Sequence, residues 1–282
     1  MSVRGFTRPF SPGGTASLAG PLPYDAAMTG LMVHFKADPG AVDALIPWPL
    51  EPYPKRHGEC FWLYIDHLMA PADPVTDTWH PDRQRMNEVL LGVACQLDGK
   101  PGIYYVYAWT DRDWSLLTEW LFGWCGKIGK LSMTHMQAEH PVWKGPAPGA
   151  RYAATIDRYG RVATAALTLE EQVGPEALPL DELLYGYGMR HIPNVDIKAN
   201  GRPLAHDLIF EHHENTVIGE IWKGSATLEF GDVENEELRP IQPIEVLGGY
   251  LTHFGYRATG VEVAHDYLTQ GYGPNGEGDP RA

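Results

Sequence analysis

The feature that most constrains this chain is a succession of short β-branched and aromatic runs separated by Gly, Pro, Asn and Asp. They extend from Phe61 to Leu68, Glu88 to Leu97, Ile103 to Trp109 and Tyr152 to Asp157. Others follow from Val162 to Leu169, Leu208 to His213, Ile218 to Phe230 and Val246 to Tyr256. Their composition and bounding turn residues predict strands. Tyr159-Gly160 predicts a hairpin turn between two of them. Helix signals are few. Asp38 is placed as an N-cap with Pro39 at the first helical position, Ala41, Val42, Leu45 and Ile46 on the apolar side, and Pro47 as the stop. Trp114 to Phe122 is the second helix. The expected class is α+β, mainly β: an antiparallel curved sheet or β-barrel with flanking helices.

The chain has 282 residues, which suits one large core, here expected over 21–270. Residues 1–20 read as an N-terminal arm, and the Gly/Pro-rich residues 271–282 as a flexible tail. A formal net charge of -14 argues against nucleic acid or an anionic membrane as partner. An anionic substrate would need positive potential built locally. Three widely spaced cysteines without a CxxC, no apolar N-terminal run and no stretch of membrane-spanning length give a cytoplasmic expectation.

The segment Phe122-Gly123-Trp124-Cys125-Gly126-Lys127-Ile128-Gly129-Lys130 carries the candidate chemistry. Burying an ammonium among aromatic and glycine residues is costly unless it is paired or deprotonated. A deprotonated lysine is a nucleophile able to condense with a carbonyl. The competing structural reading is a surface lysine in a glycine-rich turn. Glu88 opens an otherwise apolar strand, where it suits proton transfer or pairing with Arg85. Trp109, Trp114, Trp120, Phe122 and Trp124 read chiefly as packing, with Trp124 a candidate pocket wall. Glu211-His212-His213-Glu214 presents only one histidine to either face of a strand, so no metal site is expected. No phosphate loop matches either, and no cofactor is expected.

Several ordered pieces resemble the acetoacetate decarboxylase superfamily over most of the chain: Pro47-Trp48-Pro49-Leu50-Glu51, Asn87-Glu88-Val89, the lysine segment, Ile192-Pro193-Asn194, Trp222-Lys223-Gly224 and Asp266-Tyr267-Leu268. The resemblance implies a barrel-like fold, a homo-oligomer and an imine-forming lysine acting on a small oxo acid. An ungapped match puts Gly126 where the family nucleophile belongs; a one-residue shift restores Lys127, with Lys130 as activating cation or as the alternative nucleophile. Glu88 matches the family acid, and a second acid falls near Tyr64 or Asp66. Met28 stands where decarboxylases of the family hold the substrate carboxylate with an arginine. Tyr250 lies near a proton-transferring tyrosine of related aldolase-dehydratases. The implied activity is a Schiff-base lyase joining an oxo acid to an aldehyde by aldol condensation and dehydration, or the reverse. Decarboxylation of a 3-oxo acid and a non-catalytic small-molecule barrel are the alternatives.

Overall fold

The computed structural model describes residues 3–71, 81–179, 185–274, 276, 278 and 279. Its strands are β1 (Tyr24–Lys36), β2 (Glu51–Pro52), β3 (Glu59–Pro71), β4 (Arg85–Leu97), β5 (Lys100–Thr110), β6 (Gly126–Ile128), β7 (Lys130–Met133), β8 (Arg151–Asp157), β9 (Arg161–Val173), β10 (Tyr185–Ile192), β11 (Ala205–Phe230) and β12 (Glu245–Asp266). The α-helices are α1 (Pro39–Asp43), α2 (Asp113–Phe122) and α3 (Tyr267–Gln270). The fold is therefore mainly β, as the runs predict. Asp38 caps α1, accepting from the Ala41 amide at 2.9 Å. Tyr159 and Gly160 take positive φ in the β8–β9 turn.

The strands run in the order β10-β5-β4-β3-β1-β12-β11-β9-β8-β7. Because β10 pairs with β5 on one side and β11 on the other, β10, β5, β4, β3, β1, β12 and β11 close a ring. Closure removes the exposed edges that an open sheet would leave. The last third of β11 leaves the ring to pair with β9, and β8 and β7 extend that second sheet. Between ring and extension lies the main core, including Phe35, Trp62, Tyr64, Trp109, Ile156 and Leu167. Residues alternate along each strand between this core and the ring interior.

Five strands escape the sequence reading: the short β2, β6 and β7, and the longer β1 and β10. β1 alternates only through its first half; Leu31 to Phe35 are all buried, since the strand is covered on both faces there. β10 carries Gly186 and Gly188 where β-formers would advertise a strand. Gly188 lets the connection between α2 and β6 pack against β10, because a Cβ there would meet the Gly123 carbonyl oxygen at 2.5 Å and Trp124 Cε3 at 2.7 Å. Two further runs prove continuous: Leu208 to His213 and Ile218 to Phe230 are both parts of β11, joined through bulges.

The arm is not extended. Arg4 and Ser11 pair as an antiparallel bridge, and Ser17 and Thr7 bond to each other. The described part of the tail is packed: Tyr272 stacks on Tyr267, and His206 Nε2 donates to the Gly278 carbonyl at 2.6 Å.

Gly188→Ala is expected to destabilise the chain by about 1–3 kcal/mol through overpacking, whereas Gly20→Ala, with open space around its Cβ, should be near neutral. Urea unfolding of the two variants checks the comparison.

Candidate active site

The ring interior encloses a cavity of about 120 Å³. Its walls come from β1, β3, β4, β5, β11 and β12, and α2 covers one side. Cross-strand register sets what faces inward. Met28 pairs with His67 on one side and Phe254 on the other, and Ile65 pairs with Glu88. All five line the cavity.

The polar groups lie in two sets. On one wall, His67 Nε2 and Glu88 Oε2 are 3.0 Å apart, with both residues buried. His67 Nδ1 has no partner among the described residues. In a neutral imidazole that donates Nε2–H to Glu88, the lone pair is on Nδ1. The second set comes from α2, whose i and i+4 positions share a face. Ser115 Oγ donates to Glu119 Oε1 at 3.0 Å, and Thr110 Oγ1 lies 2.9 Å from Ser115 Oγ. Glu119 is 3% exposed, and its Oε2 has no partner among the described residues. Burial, reinforced by Glu88, pushes the Glu119 carboxyl well above the usual carboxylate range. It is therefore held as an acid, with a proton to donate. Glu211 and His213, 3.1 Å apart, occupy the rim from β11. Burial also pushes the Tyr105 and Tyr256 phenols up, with Glu211 and Glu88 adding to the effect.

Of the residues proposed for the site, Met28, Glu88 and Trp124 line this cavity, joined by Trp114 and Phe122, read as packing, and by Glu211 and His213, weighed for a metal. The lysine does not, and the register explains why. β6 pairs in parallel with β5, setting Gly126 beside Ala108 and Lys127 beside Trp109. Ala108 belongs to the apolar cluster around Met28, Ile65 and Leu90, whereas Trp109 lies in the main core. Lys127 follows Trp109 to that opposite face. Its Nζ donates to Glu236 Oε2 at 2.9 Å and to the Asn235 carbonyl at 3.1 Å. Glu236, 1% exposed, also accepts from Trp109 Nε1 at 3.0 Å and Arg158 Nη1 at 2.9 Å. Lys127 thus balances a buried carboxylate.

Gly126 takes the inward position, as the ungapped match implies. A Cβ there would collide with Glu119 Oε2 and lie 2.9 Å from Glu119 Cδ. The Glu119 carboxyl fills the space through which a side chain from position 126 would have to pass. Among the described residues lining the cavity there is no lysine or arginine.

The other expected residues are also placed elsewhere. Lys130 is exposed on β7 opposite Asp157. Tyr64 is fully buried in the main core, and Asp66, on the same strand face, is held by Arg85 at 2.6 Å. Tyr250 faces the ring interior but packs with Met32, Tyr53 and Phe61. It is four positions along β12 from Phe254, roughly 13 Å at strand spacing. His67 and Glu119 were not anticipated, and Glu211 and His213 were weighed only as metal ligands. The spacing Leu63, Ile65, His67 and the Ser115/Glu119 pair were the available signals. His212 turns away to Glu262, and no cluster of three metal-ligating side chains occurs among the described residues.

The model of the acetoacetate decarboxylase family matches residues 7–268. The chain belongs to the acetoacetate decarboxylase family. An acetoacetate decarboxylase-like enzyme from Sphingomonas wittichii RW1 superposes with a TM-score of 0.85 at 26% identity, covering 93% of this chain and 99% of that one. The enduracididine biosynthesis enzyme MppR, complexed with pyruvate, shares the fold with a TM-score of 0.84 at 23% identity, over 95% and 100% of the two chains. MppR complexed with the condensation product of pyruvate and imidazole 4-carboxaldehyde gives 0.83 at 22% identity, over 93% and 97%. No curated protein matches in sequence. Family and neighbours are enzymes, which places the chain among enzymes of lyase type.

Glu119 makes stability pH-dependent. Its raised value means the folded chain keeps a proton that the unfolded chain releases, so stability falls as pH rises from the ordinary carboxyl range toward the raised one. Glu119→Gln removes this loss. The variant's stability relative to wild type is expected to increase between about pH 5 and about pH 8, as read by urea midpoints.

Proposed function

We propose that this chain is a lyase that works by general acid–base catalysis in the ring cavity, without an imine. The observation that carries the reading is the pairing of Gly126 with the Glu119 carboxyl. That position bears no amine, and a buried acid occupies its approach. Lys127 is engaged by Glu236 on the other face of the strand.

The reaction that suits these groups is elimination of water from a β-hydroxy carbonyl compound, or its reverse. His67 Nδ1 removes the proton from the carbon next to the carbonyl. Glu119 gives its proton to the carbonyl oxygen, forming an enol. The enol then collapses: its proton returns to Glu119, the new carbon–carbon double bond forms, and the β-hydroxyl leaves as water with the proton held by His67. Glu88 is the positioning residue that fixes the His67 tautomer through the bond to Nε2. The same enol can add to or release an aldehyde, which is the aldol branch expected from the sequence. Met28, Trp124 and the surrounding aromatics keep water from the enol. Decarboxylation is the less suited branch, because the described cavity wall offers no cation to a departing carboxylate.

Exchange of α-protons into D2O, followed by NMR on 4-hydroxybutan-2-one, measures the first step directly. Glu119→Gln and His67→Gln are each expected to lower enzyme-catalysed exchange by about 10²–10⁴-fold. Lys127→Arg keeps a cation at Glu236 but has no condensing amine, and should leave exchange within about threefold. Loss of exchange in the arginine variant, with the fold intact, would return the mechanism to Lys127.

A further inference from the structure

Three residues that line the cavity carry a buried polar atom without a partner among the described residues: His67 Nδ1, Glu119 Oε2 and Trp114 Nε1, Trp114 standing between this cavity and a recess beside Tyr24 and Arg83. A buried donor or acceptor without a partner is unfavourable, so such atoms mark where a ligand or ordered water bonds. Two have roles in the acid–base reading. Trp114 Nε1 does not, and as an indole N–H it can only donate.

The titratable groups around these atoms are chiefly acidic, and the two histidines, His67 and His213, are engaged by Glu88 and Glu211 at 3.0 and 3.1 Å. Glu88, Glu119 and Glu211 line the cavity, and no lysine or arginine does so among the described residues. An anion placed here would meet three glutamates and no lysine or arginine to balance it. The remaining wall is apolar and aromatic, with Tyr105, Phe122, Trp124 and Phe254 among its members. The volume, about 120 Å³, is of the order that accommodates a benzene-sized molecule.

We infer that the cavity selects a compact, uncharged carbonyl compound, anchored through its oxygen by Trp114 Nε1, and refuses carboxylate-bearing oxo acids. This rests on the acid–base reading for the roles of His67 and Glu119; the exclusion of anions rests on the lining residues alone. It separates this chain from MppR, which is found complexed with pyruvate. The anchor also aligns the substrate. With the carbonyl oxygen shared between Trp114 and the protonated Glu119, the adjacent carbon is directed toward the His67 wall. Two donors converging on one oxygen stabilise the developing enol.

The test uses the full chain and isothermal titration calorimetry with two matched pairs: benzaldehyde against benzoate, and 4-hydroxybutan-2-one against pyruvate. The neutral member of each pair is expected to bind at least about 30-fold more tightly near pH 7.5, because only the carboxylate must be desolvated beside Glu88. Trp114→Phe keeps an aromatic ring and removes the donor, and should weaken the neutral ligands about tenfold with an unchanged circular dichroism spectrum. Equal or tighter binding of the carboxylates, or failure of every neutral ligand to bind at millimolar concentration, overturns the substrate class. Undiminished binding to folded Trp114→Phe overturns the anchor. Neutral ligands that bind without α-proton exchange leave the selectivity standing and overturn the acid–base mechanism instead.

Discussion

The parallel pairing of β6 with β5 is the constraint on which the site depends. One register decides both positions at once: Gly126 beside Ala108 lies against the Glu119 carboxyl, and Lys127 beside Trp109 faces the core. The Glu236 carboxyl locks that choice, because it accepts from Trp109, Lys127 and Arg158 together. Turning Lys127 inward would mean shifting β6 by one residue and stripping a buried carboxylate of a counter-charge. Arg158 and Trp109 would stay on Glu236, but the buried carboxylate would lose one of its two cationic partners. The same shift would drive a side chain into Glu119, so packing on both faces of the strand opposes it.

With the amine excluded, the electrostatics of the cavity change character. A family site built on lysine chemistry places a cation near its acids. Here the glutamates face one another without one, and burial holds Glu119 protonated. Two carboxylates about 4 Å apart repel by about 4 kcal/mol at an effective dielectric of 20, enough to keep one of such a pair neutral. The result is an acid opposite a histidine whose tautomer is set by Glu88. Separating the acid from the base in this way is what proton transfer to one atom and from its neighbour requires.

Much of the fold could be read from the sequence, because strand patterning survives wherever one face is exposed or the run is bounded by turns. β4, β5, β8 and β9 all appear close to their expected limits. β1 was hidden by burial on both faces, and β10 by glycines that leave room for Trp124. The site was less legible. Glu88 and Met28 were reachable from the family pattern, but the direction of Lys127 turned on a single-residue phase in a glycine-rich stretch. Glu119 gave only the weak signal of its i,i+4 spacing from Ser115. It reads as a polar residue on a short helix until the fold brings Gly126 against it, and His67 likewise becomes a candidate only once Glu88 is known to stand beside it.

The most direct measurement of the central claim is borohydride reduction in the presence of pyruvate, acetoacetate and 4-hydroxybutan-2-one, followed by peptide mass mapping. If the cavity works through His67, Glu88 and Glu119, no reduced adduct forms on Lys127, Lys130 or any other lysine, although proton exchange on the neutral substrate proceeds. A stoichiometric adduct on Lys127 would contradict this account: it would show that β6 shifts register in solution and that the chain has kept the imine chemistry.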